Sequence, residues 1–315
     1  MNTIRMIFLD SQGRVRWGYK FLSLVLILEL ILPVLLILTG SLSMAAAIPI
    51  LQDKGIVDSA GMIAGEYQEA ADQIWMIVLL SLQNILLAAL CLLFGRLFLK
   101  KKPAQLGFKG GAATSFKEIG IGLGIGAAML FASTILILVS GAAVIRPSGE
   151  SGLAVWLAGY FLLFVLVGFG EETAFRGYAI GAMEQTENTP LICCFTGLVF
   201  GLAHSANNNF SMMGFLNISL VGIFLALLVM KTGRLWLAVG FHIAWNFSQG
   251  CLAGFPVSGM GTKSLFVMEL TGNELLSGGS FGAEGSIWAT AVILLGIGAV
   301  CWYGRRMERA AQKEA

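Results

Sequence analysis

A chain of 315 residues in which 57% are hydrophobic and 12% charged is too apolar to have water as its main solvent. That excludes an ordinary soluble enzyme. The net charge of +2 gives no support to a nucleic-acid partner, and the positions of the charges carry more information than their sum.

The first twenty residues are basic and are followed by an apolar stretch from Phe21 to Leu38. This stretch is longer than the apolar part of a signal peptide, which predicts a retained signal anchor; a signal cleaved near Ala45, Ala46 and Ala47 is the alternative. Apolar runs long enough to cross about 30 Å of hydrocarbon then recur. Taken in order they predict helices at 19–41, 74–98, 118–141, 155–183, 190–207, 214–231, 235–252 and 286–304. The expected fold class is an all-α membrane protein, a bundle of about eight transmembrane helices. Glu29 and Pro33 in the first run suggest a kinked or water-touching segment, and 42–73 and 253–285 read as irregular or short-helical external loops. Gly120, Gly122, Gly124 and Gly126 in the third run form a stripe of small residues that suits close helix packing better than a phosphate loop.

Cytoplasmic loops collect Lys and Arg. All but three of the 20 Lys and Arg residues fall on one side, in groups headed by Arg5, Arg14, Arg16 and Lys20, then Arg96 with Lys100, Lys101 and Lys102, and ending with Arg305, Arg306, Arg309 and Lys313. The exceptions are Lys54, Arg146 and Lys263, on the side that holds Asp53, Asp58, Glu66 and Glu69. Both termini are therefore expected to be cytoplasmic, in a multi-pass protein of the cell membrane with lipid as a constant partner. The five cysteines show no metal-type or paired spacing, so no disulfide framework is expected.

Ionisable groups within a spanning helix cost about 2.5–3.5 kcal/mol each, and this chain concentrates them. The fourth run contains Glu171, Glu172 and Arg176, the fifth ends at His204, and the seventh contains His242 and Asn246; His204 and His242 are the only histidines. Glu171 lies roughly 20 Å, and His242 and Asn246 roughly 12 and 18 Å, from the cytoplasmic border along their own helices. Three helices can thus bring these groups to similar depth, which favours entry of a substrate from the cytosol or through a lateral gap. His242 and Asn246, four apart, share a helical face. Glu172 and Arg176, also four apart, can form an ion pair that lowers the cost of burying both. Glu171, turned about 100° from Glu172, is then free for general-base work. Asn207, Asn208, Asn209 and Asn217 read as loop and packing residues.

The Glu-Glu-x-x-x-Arg, Phe-x-x-x-His and His-x-x-x-Asn elements, in that order over roughly 153–250, resemble the CPBP or Abi family. That family includes the type II CAAX prenyl endopeptidases and relatives linked to bacteriocin immunity. The resemblance implies an intramembrane endopeptidase in which Glu171 activates water, His204 orients it, and His242 and Asn246 stabilise the oxyanion. The implied substrate is a peptide or lipidated protein, either a prenylated CAAX tail or a membrane-inserted peptide. Zinc on Glu171, His204 and His242 is the alternative chemistry, because two imidazoles and a carboxylate suffice as ligands. A transporter using the buried Glu, Arg and His, or a non-catalytic immunity or assembly factor, is the rival function. The expected organisation is an N-terminal region of three spans over 1–150, a catalytic core over 151–252, and an external loop, last span and basic tail over 253–315.

Overall fold

The computed structural model describes residues 15–58, 62–63 and 65–314. Arg5 and Arg14 of the N-terminal basic group lie outside these residues, and the side chains of Glu66, Arg309 and Lys313 lie outside the description. Among the described residues, eight principal helices form the bundle: α1 Trp17–Asp53, α2 Gln68–Leu97, α3 Ala112–Val139, α4 Leu153–Thr186, α5 Thr189–Ala203, α6 Met212–Thr232, α7 Trp236–Phe247 and α8 Ile287–Glu314. Each predicted run is helical over most of its length; the fifth stops at Ala203, short of 207. Among the described residues, six are long and apolar enough to cross a membrane; α5 and α7 are shorter. The outward faces carry exposed aliphatic and aromatic side chains such as Phe116, Val139, Val155 and Leu295. This is the pattern of a multi-pass protein whose solvent is lipid.

Local sequence sets the ends of these helices. The Asn188 side chain accepts from the amide of Leu191 at the start of α5, and that of Ser211 accepts from Gly214 at the start of α6, each satisfying an otherwise orphaned helix donor. Past α7 the chain makes a π turn, Ser248–Ala253, and stops at Gly254 with φ +79°. A side chain at Gly254 would also run into the carbonyl of Phe266, so this exit requires glycine.

One helix departs from expectation. α1 continues to Asp53, because the Ala-rich stretch after position 41 holds no charge and Pro49 lies within the helix without ending it. Within α1, Ile27–Ile31 is a π turn that contains Glu29 and precedes Pro33. A proline removes one helical donor, and a wider turn is a usual local adjustment. The loops are also more ordered than irregular caps. β1, Ala143–Pro147, pairs antiparallel with β2, Phe266–Leu270, with Arg146 opposite Val267, and Arg146 Nε donates to Glu269 at 2.8 Å.

The core is held by close helix crossings. Side chains at Gly122 and Gly126 of α3 would collide with the backbone of α7 at Leu237 and Phe241, and one at Gly240 with the backbone of α3 at Ile119. Gly120 and Gly124 face open space. Half of the glycine stripe therefore seats α7 at backbone contact, the small-residue packing that membrane helices use. Gly197 of α5 and Gly222 of α6 meet in the same way. At the basic end, Lys101 pairs with Glu184 and Arg234 with Glu118. All five cysteines are free.

Candidate active site

α4, α5 and α7 converge at mid-bundle, and each brings polar groups. Glu172 is the last residue of the regular α-helical part of α4, after which Thr173–Tyr178 forms a π turn. Such turns often mark functional positions in helices, and here the turn carries Arg176. Glu172 is fully buried and Arg176 is 2% exposed. Arg176 Nη1 donates to Glu172 Oε1 at 3.0 Å and Nη2 donates to the carbonyl of Gly222 at 3.3 Å. The expected ion pair forms. It also reaches further, because the same Glu172 Oε1 lies 2.8 Å from His242 Nδ1.

These contacts fix the histidine tautomers. A carboxylate and a backbone carbonyl can only accept, so His242 Nδ1 donates to Glu172. In the same way His204 Nδ1 donates to the carbonyl of Phe200 at 2.8 Å. Both Nε2 atoms are left to face the remaining carboxylate. Glu171 Oε2 lies 3.7 Å from His242 Nε2 and 3.9 Å from His204 Nε2, and it is buried without a direct hydrogen-bond partner. Asn246, 7% exposed, follows His242 by one turn. Glu171, His204, His242 and Asn246 all line one cavity of about 770 Å³.

Phe200 has a larger part than its place in the Phe-x-x-x-His element indicated. The Arg176 guanidinium sits 4.2 Å from its ring centroid, and the rings of His204 and His242 pack edge-on at 4.7 and 6.1 Å. One ring thus braces the buried cation and both imidazoles. Of the asparagines read as loop and packing residues, Asn207, Asn208 and Asn217 line the cavity. Asn217 donates to the carbonyls of Glu284 and Ser286 and accepts from Thr290, tying the 254–286 segment to α6.

A metal ion fits this donor set poorly. Among the described residues, no three His, Cys, Asp or Glu side chains form a group able to hold one. Glu171, His204 and His242 come close, but 3.7 and 3.9 Å between facing atoms exceeds the roughly 3.3 Å between ligands of a tetrahedral zinc with bonds of about 2.05 Å. No step below is routed through a metal.

The fold and this cluster define a class, that of multi-pass membrane proteins with a polar site enclosed by their helices. Residues 153–248, roughly a third of the chain, match the family model described as type II CAAX prenyl endopeptidase Rce1-like, the family that their motifs resemble. No curated protein matches the chain. The matched segment is thus similar to a family of CAAX-type proteases.

Proposed function

We propose that the chain is an endopeptidase that hydrolyses a peptide bond of a membrane-associated or lipidated substrate, with water activated by Glu171 and His204. The observation that carries this reading is the unpartnered Glu171 Oε2 facing two imidazole Nε2 atoms at 3.7 and 3.9 Å inside a cavity. A water at a usual hydrogen-bond distance of about 2.8 Å from Oε2 and from His204 Nε2 donates one proton to each, which turns its lone pair towards an incoming carbonyl.

Charge assigns the complementary role to His242. Glu171, Glu172 and Arg176 together carry one net negative charge, and a proton on His242 balances it. The imidazolium then donates through Nδ1 to Glu172 and presents Nε2–H to the substrate. With the Asn246 amide it forms a pair of donors for the oxyanion. In the first step the water oxygen bonds to the scissile carbonyl carbon, its proton passes to Glu171, and the carbonyl π electrons become the oxyanion. Collapse breaks the C–N bond, and the proton on Glu171 passes to the leaving amine. The sum is peptide plus water to acid plus amine. General-base help contributes about 10²–10⁴-fold, and each oxyanion donor about 2.7–4 kcal/mol.

Comparative peptidomics of membranes carrying wild-type protein or Glu171→Gln tests the reading. A membrane peptide should accumulate uncut with the variant, and purified wild-type protein should cut it. Indistinguishable peptide profiles, with the variant inserted and folded, would overturn the proposal.

A further inference from the structure

The cavity reaches one face of the bundle. Its lining residues that are themselves exposed are Asp72, Leu79, Ala203, Ala206, Asn208 and Gly261. Asp72 lies on the opening turns of α2 and Leu79 further along it, Ala203 ends α5, Ala206 and Asn208 lie in the turn that follows, and Gly261 lies in the 254–286 segment. Leu79 and Ala203 carry the mouth down the flank between α2 and α5, towards lipid. In the other direction the site is plugged. Phe175, Arg176, Tyr178 and Met183, none more than 2% exposed, fill α4 between Glu171 and its far end. That end is where Lys101 meets Glu184 and Arg234 meets Glu118. The basic end is the one expected to face the cytoplasm, so the mouth lies on the opposite side.

The walls near the mouth carry the carboxylates of Asp72 and Glu284 and the carboxamides of Gln73, Gln83, Asn207 and Asn208. Glu284 accepts from the amide and hydroxyl of Ser258, with no cation among these contacts, while the nearby Lys263 is held between Glu69 and Glu150. Carboxamides pair with an extended peptide backbone through both donors and acceptors. The acidic rim favours neutral or basic flanking residues.

We infer that the site is loaded from the non-cytoplasmic face. Its substrate class is a neutral or basic peptide segment exposed or anchored on that side of the bilayer, rather than a cytosolic C-terminal tail. The peptide part of this inference rests on the protease reading; the route does not.

Thiol accessibility tests the two separately. In a full-length background with Cys194 and Cys301 replaced by Ala, single cysteines go to the mouth (Asn208→Cys), the cavity (Gln83→Cys and, independently, Asn246→Cys) and the basic end (Lys117→Cys). Sealed vesicles with the cytoplasmic face inward are treated with a small membrane-impermeant cationic methanethiosulfonate. The positions at 208, 83 and 246 should react before permeabilisation, and 117 only after it. A bulky maleimide on Asn208→Cys should slow cleavage of a basic test peptide at least ten-fold, and the same reagent on Lys117→Cys should not. Reaction of both cavity cysteines only together with 117 overturns the inference. Labelling as expected, with no cleavage of any peptide by unmodified protein, supports the route and removes the protease reading instead.

Discussion

Replacing Glu172 by Gln separates the structural and chemical parts of the cluster, because one carboxylate oxygen holds both Arg176 at 3.0 Å and His242 at 2.8 Å. Arg176, 2% exposed, would keep its charge with no carboxylate in contact. Breaking a buried pair on one side costs about 3–5 kcal/mol, which should appear as a large fall in the thermal midpoint in detergent. Glu171 and Arg176 would then balance by themselves, so His242 would no longer need a proton, and one oxyanion donor would be lost. That donor is worth about 10²–10³-fold in kcat. Adding Arg176→Met in the Glu172→Gln background removes the stranded cation. Most of the stability should return, and because Glu171 alone again leaves one negative charge for His242 to balance, part of the lost kcat should return with it. The assay pairs thermal unfolding with kcat on a cleaved peptide. Equal stability and activity of Glu172→Gln and wild type would refute the charge argument, and a double variant whose stability returns without any rise in kcat would refute the role given to His242.

Phe200→Leu removes the ring that braces Arg176 and both imidazoles; a loss of about 0.5–2 kcal/mol for the cation contact and a drop in kcat with little change in KM are expected from calorimetry and steady-state kinetics. Gly122→Val and Gly126→Val should each cost about 1–3 kcal/mol by overpacking and lower activity by shifting α7. Gly120→Val and Gly124→Val, which meet nothing within 4 Å, should do neither, and equal effects at all four positions in a thermal-shift series would contradict the packing. Asn217→Ala leaves the carbonyls of Glu284 and Ser286 without this donor, at about 1–3 kcal/mol, and should speed limited proteolysis within 254–286 before it affects the helices.

The helices were legible because each is an apolar run, and the polar cluster because charged residues stand out within such runs. The spacing of Glu172 and Arg176 also yielded their ion pair, since both ends lie on one helix. The link from Glu172 to His242 was not legible, because it joins α4 to α7 and depends on how closely α3 lets α7 approach. Nor was the pairing of β1 with β2, whose five-residue strands are joined only through the tertiary fold. The π turns at Ile27–Ile31 and Thr173–Tyr178 shift hydrogen bonds by one residue without altering the apolar pattern that the reading used. Counting depth from the cytoplasmic border placed the four polar groups near one level and favoured entry from the cytosol or through a lateral gap. Depth says nothing about which end is filled, and the burial of Phe175, Tyr178 and Met183 could not be read from it.

The seat of α7 on Gly122 and Gly126 has a consequence for how far the family match reaches. The matched segment, 153–248, contains every polar group of the cluster yet omits the helix against which His242 and Asn246 are aligned. Excised by itself, that segment would keep its reactive side chains and lose the template that sets their spacing. Grafting the motifs into another bundle would need a glycine ridge on an unrelated helix as much as it needs the glutamate and the histidines.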